Sequence, residues 1–135
     1  MDKNTKALSV SPAGWGEALA ELLAPAFTSE EALIGVGRQV VEGLASAFIV
    51  EDEGELVAAF VLRVDDDEGV VVAASGSGQN VRLIPALLAS IEARFYGCSA
   101  IRFHTARPGL ARVMQEYGYV GQEVVMRKDL TKAVH

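Results

Sequence analysis

A chain of 135 residues, half of them hydrophobic and 22% charged, can bury a core and is too apolar to stay disordered. Its longest uninterrupted apolar run, residues 56–62, falls far short of the ~20 residues that a bilayer-spanning helix needs. The net charge of −6 disfavours nucleic-acid binding, which requires a dominant basic surface.

The charge is unevenly spread. Residues 1–81 carry 14 acids against 4 bases, and residues 82–135 carry 4 acids against 8 bases. Two acidic clusters, at residues 51–55 and 65–68, account for much of the first half; they read as solvated hairpin turns or as an acidic rim attracting a basic partner. Cys98 is the only cysteine, which excludes an internal disulfide and suits a reducing compartment. With only His104 and His135 beside it, a Cys/His zinc site is not expected, and no metal is. No basic segment followed by an apolar stretch opens the chain, so the expected location is the cytoplasm.

Residues 1–6 read as a loose leader and residues 7–10 as a first edge strand, with Ser11-Pro12 offering a helix start. From residue 13 to 23, Trp15, Ala18, Leu19, Leu22 and Leu23 recur at helical spacing until Pro25 ends the run. Ser29, followed by Glu30 and Glu31, caps a second helix whose apolar side is expected at Ile34, Val41 and Leu44. A strand at residues 47–50, a turn at Asp52-Glu53-Gly54 and a long strand at residues 55–64 form a hairpin. The unbroken apolar run inside the long strand predicts a mid-sheet position. A turn at residues 65–69 returns the chain into Val70-Val71-Val72-Ala73-Ala74, the third consecutive antiparallel strand.

That strand runs into Ser75-Gly76-Ser77-Gly78-Gln79-Asn80, and a helix follows from about residue 81 to 96. A strand feeding a helix through small residues aims backbone N–H groups at one point, which suits a phosphate because the first helical N–H groups lack partners. Ile84, Leu87, Leu88, Ile91 and Phe95 give this helix one buried stripe, and Gly97 is its C-cap. Residues 100–104 alternate as a strand; Pro108 begins a helix that Gly118 stops; residues 119–128 read as a last strand. The expectation is one mixed α/β domain over residues 1–135, with a mostly antiparallel twisted sheet flanked by helices.

This order of elements resembles the acyl-CoA N-acyltransferase fold of the GNAT superfamily, over roughly residues 7–130. The family's pyrophosphate loop shows Gln or Arg, two residues, Gly, one residue, then Gly or Ala, leading into a helix. Here Gln79-Asn80-Val81-Arg82-Leu83-Ile84 fills that pattern. Gln79 agrees, while Arg82 and Ile84 stand where two small residues let the pyrophosphate reach the backbone. The resemblance implies acetyl-CoA as cofactor, held by Ser75, Gly76, Ser77, Gly78, Gln79, Asn80 and Arg82.

A second family pattern carries Asn, Ala and Tyr ahead of Gly-Phe. Gly118-Tyr119 matches the last pair, and counting back puts Met114 at the tyrosine, Leu110 at the alanine and Arg107 at the asparagine. That tyrosine commonly reprotonates the departing coenzyme-A thiolate, and a thioether has no proton to give. Tyr117, three residues on, is the replacement candidate, and Glu68 and His104 are candidates for the base that deprotonates an incoming amine. His104 also reads as a structural imidazole and Glu68 as a solvated turn residue.

Two functions are therefore carried forward. One is an N-acetyltransferase moving an acetyl group from acetyl-CoA to a small-molecule or protein amine. The other is a non-catalytic binding or structural module on the same scaffold, engaging a protein partner or a second copy of itself. Small, worn versions of the fold occur among bacteriophage proteins, some encoded near virion genes, which makes a virion-associated role part of the second reading.

Overall fold

The computed structural model describes residues 8–76, 84–103, 108–122, 126, 128 and 130. It runs β1 (Ser9–Ala13), α1 (Glu17–Leu23), a 3-10 turn (Ala24–Ala26), α2 (Glu30–Val41), β2 (Ser46–Asp52), β3 (Glu55–Asp65), β4 (Glu68–Gly76), α3 (Ile84–Arg94), β5 (Ala100–Phe103) and α4 (Pro108–Gln115). The described sheet has the order β1-β2-β3-β4-β5. The first three pairings are antiparallel, and β4 with β5 is parallel. The chain falls into two compact units, Met1–His104 and Thr105–His135, with α4 in the second.

The β2–β3 hairpin turns at Glu53 (φ 55°) and Gly54 (φ 85°). Positive φ at both central positions is the backbone of a type I′ turn, whose twist matches that of the flanking strands. β3 lies between β2 and β4, with α1 and α2 packed on one face and α3 on the other, which is why Ala58, Ala59, Phe60, Val61 and Leu62 are all buried. On one face Ala59 and Val61 join Leu19 and Leu23 of α1 and Val36 of α2. On the other, Ala58, Phe60 and Leu62 join Val50, Val71 and the α3-side residues Ile91 and Phe95. Phe48 and Phe60 stack there with ring centroids 5.3 Å apart, and the Arg94 guanidinium lies 4.5 Å above the Phe48 ring.

Local signals hold at several boundaries. The Ser29 hydroxyl accepts from the Ala32 N–H at 3.1 Å, capping α2. Leu88, Ile91 and Phe95 are buried, as the α3 stripe requires, and Gly97 and Gly118 both adopt positive φ just past helix ends.

Three expectations need correction. Ser11-Pro12 starts no helix: Pro12 sits inside β1, opposite Phe48, where an edge strand tolerates the missing N–H, and α1 begins only at Glu17. The buried side of α2 is Leu33, Val36, Gly37 and Val40; Ile34 (53% exposed), Val41 (73%) and Leu44 (65%) face solvent. The reason is Trp15, whose indole lies on Gly37 so closely that a Cβ there would overlap it, which fixes that side of the helix inward. Finally, Tyr119, Val120, Gly121 and Gln122 form no strand, and part of the expected last strand lies outside the described residues.

Candidate functional site

The β3–β4 ladder shifts register between Val61 and Leu62: Val61 faces Ala73, while Leu62 faces Val71. Val72 is the extra residue of a bulge, and it and Ala73 both pack with the α1/α2-side core. The parallel register of β4 with β5 runs from Glu68↔Ala100 to Val71↔Phe103, the last described residue of β5. A bulge bends its strand and sharpens the local twist, and such bends are frequent beside active sites. Past it, Ala74 packs on the α3 side, Ser75 is half-buried and Gly76 is exposed. A Cβ on Gly76 would stand 3.1 Å from the Val57 carbonyl oxygen, tighter than ordinary contact, so the backbone of β3 approaches β4 closely there.

The expected cofactor residues are only partly visible. Ser75 and Gly76 close β4; Ser77, Gly78, Gln79, Asn80 and Arg82 lie outside the described residues, and α3 is described from Ile84.

The expected chemistry divides in the same way. Glu68 opens β4, about 26 Å along an extended strand from Gly76. Its carboxylate accepts from Arg102 Nη1 at 3.1 Å. The structure therefore sets Glu68 and the Ser75-Gly76 end at opposite ends of one strand. His104 lies outside the described residues, directly after β5. In the second unit, Met114 is buried (4% exposed), whereas Tyr117 follows the end of α4 and is 42% exposed. The Tyr117 N–H donates to the Met114 carbonyl at 3.0 Å, as does the Tyr119 N–H at 3.2 Å.

The residues that sequence reasoning passed over are those around Asp65. Arg63 donates to it through Nε at 3.0 Å and Nη2 at 3.2 Å, and Arg102 through Nη2 at 2.9 Å. Arg63 also reaches Gln39 of α2 at 3.3 Å. These hydrogen bonds, led by Arg63, hold the Asp65 carboxyl below its ordinary 3.8. Only the alternation of Arg102 between Ile101 and Phe103 hinted at such a role. Among the described residues no group of three His, Cys, Asp or Glu is placed to hold a metal ion, and no helix is long and apolar enough to cross a membrane.

No protein-family model matches the chain, and no curated protein matches it in sequence. Solved structures do match. A GNAT family acetyltransferase from Elizabethkingia anophelis with acetyl-CoA bound superposes with a TM-score of 0.70 at 17% identity, covering 95% of this chain and 84% of that one. The aminoglycoside 6'-N-acetyltransferase AAC(6')-IG from Acinetobacter haemolyticus gives 0.63 at 17% identity, over 90% of this chain and 97% of that one. An acetyltransferase from Clostridium acetobutylicum with acetyl-CoA gives 0.65 at 12% identity, over 95% and 99%. A strand order with three antiparallel pairings and one parallel one, helices on both faces and these superpositions lead to one conclusion: the chain has the GNAT acetyltransferase fold.

Proposed function

We propose that the protein binds acetyl-CoA beside the β4 bulge and passes the acetyl group to an amine. The observation that carries this reading is the Val72 bulge, which bends β4 just ahead of its small-residue end at Ser75 and Gly76, in a chain with the fold of acetyltransferases solved with acetyl-CoA bound. The β4 backbone from Val72 to Gly76 then offers N–H and C=O groups to an amide-bearing arm, much as a sheet edge accepts an added strand. The residues of that backbone fit the role: Ala73, Ala74, Ser75 and Gly76 have small side chains or none. The turn from Ser75 and Gly76 through Ser77, Gly78, Gln79 and Asn80 would hold the pyrophosphate, with the Arg82 guanidinium supplying charge.

Bound acetyl-CoA supplies an activated acyl carbon. The chain must then manage two protons, one leaving the acceptor amine and one reaching the thiolate. We assign the first to His104, which follows β5, and the second to the hydroxyl of Tyr117. Glu68 takes no part, being paired with Arg102 at the other end of β4. An amine acceptor agrees with the aminoglycoside specificity of one structural neighbour and with the acidic first half of the chain.

One observation favours a second reading, a non-catalytic module on the same scaffold. Met114, at the place the family's tyrosine acid holds, is buried and has no proton to donate. Thermal melting with millimolar acetyl-CoA, followed by thiol release with a panel of amines, separates the readings. Ligand at ~100 times its dissociation constant adds about 2.7 kcal/mol, several degrees for a chain of this size. A shift with turnover supports the transferase; a shift without turnover on any amine supports the module; no shift overturns acetyl-CoA binding.

A further inference from the structure

One side of α2 presents apolar groups to solvent. Glu31, Ile34, Arg38 and Val41 follow one another at spacings of three, four and three residues, so they form a single stripe along the helix, and all four are exposed. A helix already packed on a core through Leu33, Val36 and Val40 needs only polar groups on such a stripe. Ile34 and Val41 are therefore not explained by the fold of a single chain. Nor is Leu44, just past the helix, which is exposed although its backbone is held. Its N–H donates to the Gln39 carbonyl at 2.8 Å, and Gly43 turns the chain ahead of it at φ 81°.

The charges of the stripe are ordered. Glu31 lies in the first turn of α2 and Arg38 in the last, seven residues and so about 10 Å apart along the axis. Among the described residues neither side chain makes an ion pair within the chain. A stripe with an acid at one end and a base at the other complements a copy of itself only when that copy runs the opposite way.

We propose that this stripe is the contact between two copies of the chain, packed with their α2 helices antiparallel about a two-fold axis. An axis crossing the stripe at Ile34 sets Glu31 of each copy opposite Arg38 of the other. The two Ile34 side chains then lie between the charge pairs, and Val41 of each copy reaches the start of the other's α2. A parallel arrangement puts Glu31 beside Glu31 and Arg38 beside Arg38, and aligns the helix dipoles unfavourably. Removing Ile34 and Val41 from water supplies the attraction, while the charge pairs set direction and register. One face of a 12-residue helix stands at the small end of protein interfaces, so the expected dissociation constant is on the order of 0.1 mM. The inference is independent of the acetyl-CoA reading.

The test is sedimentation equilibrium of the full chain without ligand, in physiological salt, from ~10 µM to ~1 mM. The average mass should rise from that of one chain toward that of two and go no further. Ile34→Lys and Val41→Lys, both on the solvent side of α2, should each weaken association at least tenfold. Glu31→Arg and Arg38→Glu should each weaken it about fivefold, because like charges then face each other at two places across the axis. Mixed in equal amounts, these two variants should associate more tightly than either does alone, since every charge in the mixed dimer meets its opposite. Should Glu31→Arg fail to fold, the two lysine variants carry the test. Wild type that stays single at ~1 mM overturns the proposal and leaves the stripe to a partner of another kind. Association that survives Ile34→Lys and Val41→Lys overturns it too, and a mixture no heavier than its components overturns the antiparallel pairing.

Discussion

The ring of Phe95 rests on Gly69 so closely that a Cβ at that glycine would fall among the ring carbons. Gly69 is buried in β4, paired with Val64 on one side and Ile101 on the other, and Phe95 is itself buried. Gly69→Ala is therefore expected to lose about 1–3 kcal/mol through overpacking. Chemical denaturation of the single variant, and of Gly69→Ala with Phe95→Leu, checks this. The second change should restore part of the loss, and a Gly69→Ala protein as stable as wild type would remove the contact.

Two glycines of α2 should respond with opposite signs. Nothing lies within 4 Å of a Cβ built on Gly35, so Gly35→Ala should gain up to about 1 kcal/mol from helix propensity. At Gly37 the same change meets the Trp15 indole and should lose stability despite the better propensity. Trp15 is the only tryptophan, so fluorescence reports on it alone. Emission should shift to longer wavelength in Gly37→Ala and stay in place in Gly35→Ala.

The assignment of the α2 faces has its own check. Ile34→Lys and Val41→Lys replace solvent-facing side chains and should change stability by less than about 0.5 kcal/mol. Val36→Lys puts a charge into the core shared with Leu19 and Leu23 and should leave the chain largely unfolded at room temperature. Circular dichroism melts of the three variants decide it.

The Asp65 cluster predicts a pH dependence. The hydrogen bonds and charges of Arg63 and then Arg102 lower the folded-state pKa of Asp65 below 3.8, so the folded chain holds its ionised form more strongly than the unfolded chain does. The stabilisation is full above the unfolded value and is lost as pH falls through the folded one. Wild type should therefore melt above Asp65→Asn at neutral pH, and the gap should close as pH drops below 3.8. Because the side chains are about a third exposed, molar salt should narrow the gap at neutral pH as well. A gap independent of pH would assign the effect of the substitution to something other than this carboxylate.

The elements flanking the candidate site were legible. The apolar stripe of α3, its glycine stop and the antiparallel run of β2, β3 and β4 follow from residue spacing, and Ser75 and Gly76 fall at the end of β4; five of the seven expected cofactor residues lie outside the described residues. The bulge was not legible, because Val70-Val71-Val72-Ala73-Ala74 has no alternation and so carries no mark of where its faces change. Glu68 read as part of a solvated turn because its partner, Arg102, lies 34 residues away in the chain.

What the sequence determined by itself is the local architecture: the Ser29 cap, the Glu53-Gly54 turn, the Pro25 and Gly118 stops, and the periods that separate helix from strand. Each depends on the backbone preferences and nearest neighbours of a few consecutive residues. The tertiary structure alone decided which side of α2 is buried, where β4 is bent, and that one arginine of β5 answers two carboxylates from two other strands. Those outcomes depend on groups distant in sequence competing for the same space and the same charge, and that competition exists only once the strands have met.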